Sequence, residues 1–176
     1  RRQSARRLDL GRRHHRSGRM KPAIILTAAH TAAARLLDPL QPVFLLGLRL
    51  WVSWQFLKSG WLKLSDWDNT LFLFQEEYRV PLLSPELAAM AGTLGELFFP
   101  LLLIFGILGR YAAIGLSAVN VLAVVSYSHV LLTGGFEAAL GQHYLWGLML
   151  LVIVVFGPGK LSLQREASSR PLPAPG

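Results

Sequence analysis

The stretch ELAAMAGTLGELFFPLLLIFGIL, residues 86–108, decides the fold. It is predominantly apolar over about 20 residues, the length a helix needs to cross the ~30 Å hydrocarbon core of a bilayer at ~1.5 Å per residue. Its interior carries one ionisable side chain, Glu96. Three more blocks of this kind lie around it: VFLLGLRLWVSWQFLKSGWLKL at 43–64, a third at 111–132, and a fourth at 142–156. The breaks between them are polar or rich in glycine and proline. SDWDNTLFLFQEEYRVPLLSP joins the first two, Gly109 and Arg110 predict a tight turn, Gly134 and Gly135 a loop, and Gly157-Pro158-Gly159 a stop. The TLFLF segment is too short to span and predicts a short helix across the bundle mouth, broken at Pro81 and Pro85. The pattern predicts an all-α integral membrane protein, a four-helix transmembrane bundle over residues 43–163.

Composition agrees. Of 176 residues 52% are apolar, and the mean hydropathy of +0.40 is too high for a soluble domain of this size unless the excess faces lipid. The formal charge of +8 does not describe the bundle. Residues 1–19 hold eight Arg and one Asp, which leaves ten Lys+Arg against nine Asp+Glu from Met20 onward. The basic segment 1–19 therefore reads as a disordered extension upstream of a start at Met20, and no nucleic-acid partner is expected. Residues 20–42 read as an interfacial amphipathic helix ending at the Asp38-Pro39 and Gln41-Pro42 breaks, in preference to a signal peptide. Residues 164–176 read as a disordered tail. With no cysteine, thiol redox and thiolate metal sites are excluded for the chain itself.

Lys21, Arg35, Arg110, Lys160, Arg165 and Arg170 flank one set of span ends. Lys63 and Arg79, among Asp66, Asp68, Glu76, Glu77 and Glu137, flank the other. Positive residues stay on the cytoplasmic side, so both termini are expected there.

Several blocks together resemble the DoxX family of small four-helix membrane proteins: LRLWVSWQFLKSGWLKL, the YRVP element at 78–81, Gly95-Glu96, the turn at 106–110, and GPGKLSL at 157–163. Each block is short; their order and spacing over 43–163 carry the resemblance. The family ending has an acid where this chain has Gln164. The resemblance implies a multi-pass protein of the bacterial inner membrane, a subunit of a redox or metal-stress system that binds quinone or a partner oxidoreductase rather than acting alone. It names no catalytic residue.

Charged groups inside a span cost roughly 2.5–3.5 kcal/mol on insertion scales and need a partner or a purpose. Arg49 lies about 9 Å, and Glu96 about 18 Å, from the cytoplasmic ends of their spans. The sequence therefore suggests an Arg49–Glu96 ion pair with Asn120 as interhelical glue, or a polar pocket of the same residues that holds a quinone head group or relays a proton. Lys58 and Lys63 are expected to snorkel to the outer interface, or else to join Tyr78 and Arg79 at the pocket mouth. Trp51, Trp54, Trp61, Trp67, Tyr127, Tyr144 and Trp146 read as interface belt and packing. His129 and His143, expected at one membrane level, raise a second possibility: a copper or zinc site, or haem ligation, in a metal-handling protein. A small transporter fits the buried charges but not the unrepeated topology. Partners are the bilayer and other membrane or redox proteins; the sequence leaves homo-oligomerisation open.

Overall fold

The computed structural model describes residues 22–164, so the expectations for 1–19 and for the tail beyond Gln164 lie outside it. All regular elements among the described residues are helical: α1 (Pro22–Leu37), a 3-10 turn (Asp38–Leu40), α2 (Gln41–Ser65), α3 (Trp67–Glu76), α4 (Pro85–Phe105), α5 (Gly109–Ser126), α6 (Ser128–Leu131) and α7 (Glu137–Phe156). Helix α1 and the bundle from Pro39 onward are separate compact units. Helix α1 stops one residue before Asp38-Pro39, and Pro42 sits in the first turn of α2, where its missing N–H costs nothing.

In the bundle α2 packs on α4, α4 on α5 and α5 on α7, and α2 also meets α7. The core is narrow: Val52 and Phe56 of α2, Leu103 of α4, Ala112, Ala113 and Leu116 of α5, Leu150 and Ile153 of α7. Around it many large apolar side chains are exposed, among them Leu94, Phe98, Val121, Leu148 and Val155. A soluble bundle would bury such residues; here lipid is their solvent. Helices α4, α5 and α7 are each long and apolar enough to cross a membrane.

Where boundaries differ from expectation, a local cause is visible. Helix α4 stops at Phe105 because Gly106 takes a left-handed conformation (φ 66°), with the Ile107 N–H on the Leu102 carbonyl and the Gly106 N–H on Leu103. This paired closure ends a helix. The turn is thus 106–108, and Gly109 and Arg110 open α5. The third block does not run unbroken to Leu132: α5 ends at Ser126, whose carbonyl accepts from the Arg79 N–H at 2.9 Å, and the four-residue α6 follows. Helix α3 ends at Glu76, before Pro81. Pro85 opens α4 behind an N-cap at Ser84, whose hydroxyl accepts from the Leu87 N–H at 3.4 Å. Helix α7 starts at Glu137, a turn earlier than the apolar block.

Candidate functional site

The expected Arg49–Glu96 pair does not form. Arg49 is 1% exposed, and its guanidinium donates to the Pro158 carbonyl, to Leu161 at 2.7 Å and to Ile104 at 3.3 Å. These carbonyls belong to the end of α4 and the segment after α7, so Arg49 clamps three pieces of chain at one end of the bundle. Glu96 instead takes Lys63, with Nζ 2.8 and 2.6 Å from its two carboxylate oxygens, and Nζ also donates to Ser59 Oγ at 2.8 Å. The register explains the exchange. A Cβ on Gly60 would stand 3.0 Å from Glu96 Cβ and 2.9 Å from Leu97, so bare Gly60 sets α2 against α4 at the level of Glu96. Lys63 is one turn beyond that contact; Arg49 is eleven residues, about 16 Å, below it. Lys63 therefore does not snorkel outward: its side chain is 19% exposed and that of Glu96 8%. Pro100 sharpens the polarity here, because without an N–H it cannot complete the helical bond to the Glu96 carbonyl.

The ion pair forms the polar floor of a cavity of about 260 Å³. Phe74 of α3, Tyr78 and Val80 of the following loop, Gly92 of α4, Ser126 and Tyr127 at the end of α5, and His143 of α7 complete much of its wall. Phe74 and Tyr78 meet edge to face at 4.8 Å, and Tyr78 and Tyr127 at 5.2 Å. This is the arrangement aromatic quadrupoles prefer. Burial raises the Tyr78 pKa above its ordinary value, helped by Tyr127, Glu96 and Glu77. The phenol therefore stays protonated at neutral pH and can donate.

Asn120 bridges helices, but to His143. Its Nδ2 donates to the His143 carbonyl at 3.0 Å while its Oδ1 stands 2.8 Å from His143 Nδ1. With the amide so oriented, Nδ1 carries the proton and Nε2 is the acceptor of the neutral ring. His129 goes elsewhere: it is exposed, packs its ring on Tyr127 at 5.6 Å, and does not line the cavity. Among the described residues no group of three His, Asp or Glu side chains could hold a metal ion.

Lys63, Tyr78, Glu96 and His143 thus converge. Arg49, Asn120, Lys58 and Arg79 do not line the cavity; Lys58 and Arg79 are exposed, and Arg79 contributes only its backbone N–H. Ser59, Phe74, Ser126 and Tyr127 were missed. Three of them have only small or apolar signatures in sequence, while Tyr127 follows Ser126 at the end of an apolar block and could have been flagged as a mouth residue.

The DoxX family model matches residues 44–129. An uncharacterized protein of Haemophilus influenzae is 30% identical over 128 residues, covering 69% of this chain and 81% of the relative. No solved structure matches. The fold and these similarities define an all-helical membrane protein. The chain belongs to the DoxX family.

Proposed function

We propose that the bundle crosses the bacterial inner membrane four times, with both termini cytoplasmic, and that its cavity receives the head group of a membrane quinone on behalf of a partner oxidoreductase. The observation that carries this reading is the Lys63–Glu96 pair on the floor of a cavity whose other walls are mostly aromatic and apolar. Sites for small molecules are lined mostly by apolar and aromatic side chains, with a few placed polar groups that fix orientation.

The donor set fits a quinone ring. The three donors of the Lys63 ammonium already meet Ser59 and both Glu96 oxygens, so a ring carbonyl would take the place of one carboxylate oxygen there, and the protonated Tyr78 phenol offers a neutral donor. The Tyr78 and Tyr127 rings provide flat apolar wall. His143, its Nδ1 proton held by Asn120, has Nε2 free to accept a proton. A quinone bound there would supply two-electron, two-proton chemistry. The chain's residues would bind the ring, orient it and exclude bulk water; with no cysteine in the chain, thiol electrons would come from the partner.

The test is binding of decylubiquinone to the protein in nanodiscs, by equilibrium titration. Wild type should bind, and Glu96→Gln combined with Lys63→Met should weaken binding at least tenfold while keeping the protein folded. Saturable binding unchanged in that double variant would remove the ion pair from the site, and absence of binding by wild type would end the quinone reading.

A further inference from the structure

We propose that the cavity opens sideways into the bilayer, through a portal between α4 and α5 bounded by Ala91 and Leu122, and that the hydrocarbon tail of a lipid-borne ligand occupies this portal. The inference rests on the reading of the cavity as a ligand site but not on the ligand being a quinone.

The portal follows from how α4 and α5 meet. Joined by the turn at 106–108, the two helices are tightly apposed in the half nearest it: a Cβ on Gly115 would stand 2.4 Å from the Phe99 ring, and one on Gly95 2.7 Å from Val119 Cγ2. The next layer outward brings Ala91, one turn before Gly95, opposite Leu122, nearly one turn after Val119. This pair does not seal the interface. Both residues line the cavity and both are exposed, Leu122 at 44%. Further out the helices are tied again, at one remove, by the Arg79 N–H to Ser126 carbonyl bond at 2.9 Å. The gap thus has a floor at Gly95 and Val119, and a lintel at the strap that enters from α3.

Its surroundings on both helices are apolar and exposed: Leu87, Met90 and Leu94 on α4, Val121 and Val125 on α5. A water-facing mouth would be rimmed with polar groups, whereas this rim suits lipid. Cavity size says what passes through. Pockets that engulf a drug-sized ligand measure about 300–1,000 Å³, and about 260 Å³ holds a single-ring or similar head group with its tail left outside. The gap at Ala91 is the exit that keeps such a tail in hydrocarbon, as a chain of apolar CH₂ groups requires at ~0.8 kcal/mol each.

The cysteine-free chain permits a direct test. Ala123→Cys places one thiol on the cavity wall. In proteoliposomes it should react at least tenfold faster with membrane-partitioning pyrenyl maleimide than with a sulfonated, membrane-excluded maleimide, relative to the rates of an exposed control, Gly135→Cys. Adding Ala91→Trp, which fills the gap without reaching the ion pair, should slow the pyrenyl reaction at least tenfold. Equal or faster labelling by the sulfonated reagent would mean that the cavity opens to water, and no slowing by Ala91→Trp would place the entrance elsewhere; either result overturns the portal. Protection of the thiol by decylubiquinone is read separately: its absence, with the lipid-side labelling intact, discards the quinone while the portal stands.

Discussion

At the scale of single residues, the exchange of partners between Arg49, Lys63 and Glu96 changes what each substitution should do. Glu96→Gln leaves Lys63 half-satisfied beside the cavity, and an unmet polar group of this kind costs about 1–3 kcal/mol. Arg49→Gln strips donors from three carbonyls at the opposite end and, being fully buried, should cost more. The two sites are roughly 16 Å apart along the helices. In a double-mutant cycle on thermal unfolding in mild detergent, Arg49→Gln and Glu96→Gln should therefore add within about 0.5 kcal/mol, while Lys63→Met and Glu96→Gln should couple by more than that. Coupling between Arg49 and Glu96 instead would restore the pair that depth alone suggests. Sequence identified Glu96, Lys63 and His143 as unusual because an ionisable group in an apolar block stands out whatever its partner, whereas Tyr78, in the polar connection, was named only for the pocket mouth. Depth counted along a helix could not pair them, because pairing depends on which face each residue takes and on where Gly60 lets the backbones close.

Elements were legible where hydrophobic length decides, and less so where their ends depend on a contact from elsewhere. The four apolar blocks became α2, α4, α5 with α6, and α7, yet the break after Ser126 needs the Arg79 N–H, a residue 47 positions away. Gly106 is the sharpest case of a boundary fixed by tertiary contact. A Cβ there would lie 2.3 Å from Ser162 Cβ and 2.9 Å from its Cα, in a left-handed backbone that costs an L-residue about 1–2 kcal/mol before any clash. Ser162 sits in the segment Arg49 holds, so the turn, the clamp and the GPGKLSL stretch are one structure. Gly106→Ala should lower the stability by at least about 2 kcal/mol, read as a drop in the thermal midpoint. Gly134→Ala, where nothing lies within 4 Å of the added carbon, should change it by less than about 0.5 kcal/mol. Equal effects at both glycines would show that the clamp is not closed in the membrane.

For the whole molecule, the number of crossings turns on α2. Helices α4, α5 and α7 qualify as spans by length and composition, but α2 carries Arg49, Lys58 and Lys63 and is the least apolar of the long helices. Fusions after Arg110, near Gly135 and after Lys160 would alternate in the same way whether α2 crosses or not, so they cannot distinguish three spans from four. The start of α2 can. With α2 as a span, Leu40 lies on the side of the 106–108 turn and of Lys160; without it, Leu40 shares the side of Asn69. Packing argues for crossing: α2 is 25 residues long, and its Arg49 reaches the end of α4 and the segment after α7, while its Lys63 meets Glu96 deep in the opposite half. Both of its charges inside the bundle thus have polar partners without facing lipid, which lowers the penalty against insertion, and exposed Lys58 lies within two turns of the Ser65 end of the helix. Single cysteines at Leu40, Asn69, Gly135 and Lys160 should accordingly split two and two in intact cells. Asn69→Cys and Gly135→Cys should react with a membrane-impermeant maleimide, and Leu40→Cys and Lys160→Cys only after permeabilisation. Labelling of Leu40→Cys from outside, together with Asn69→Cys, would reduce the bundle to three spans and move the N-terminal flank across the membrane.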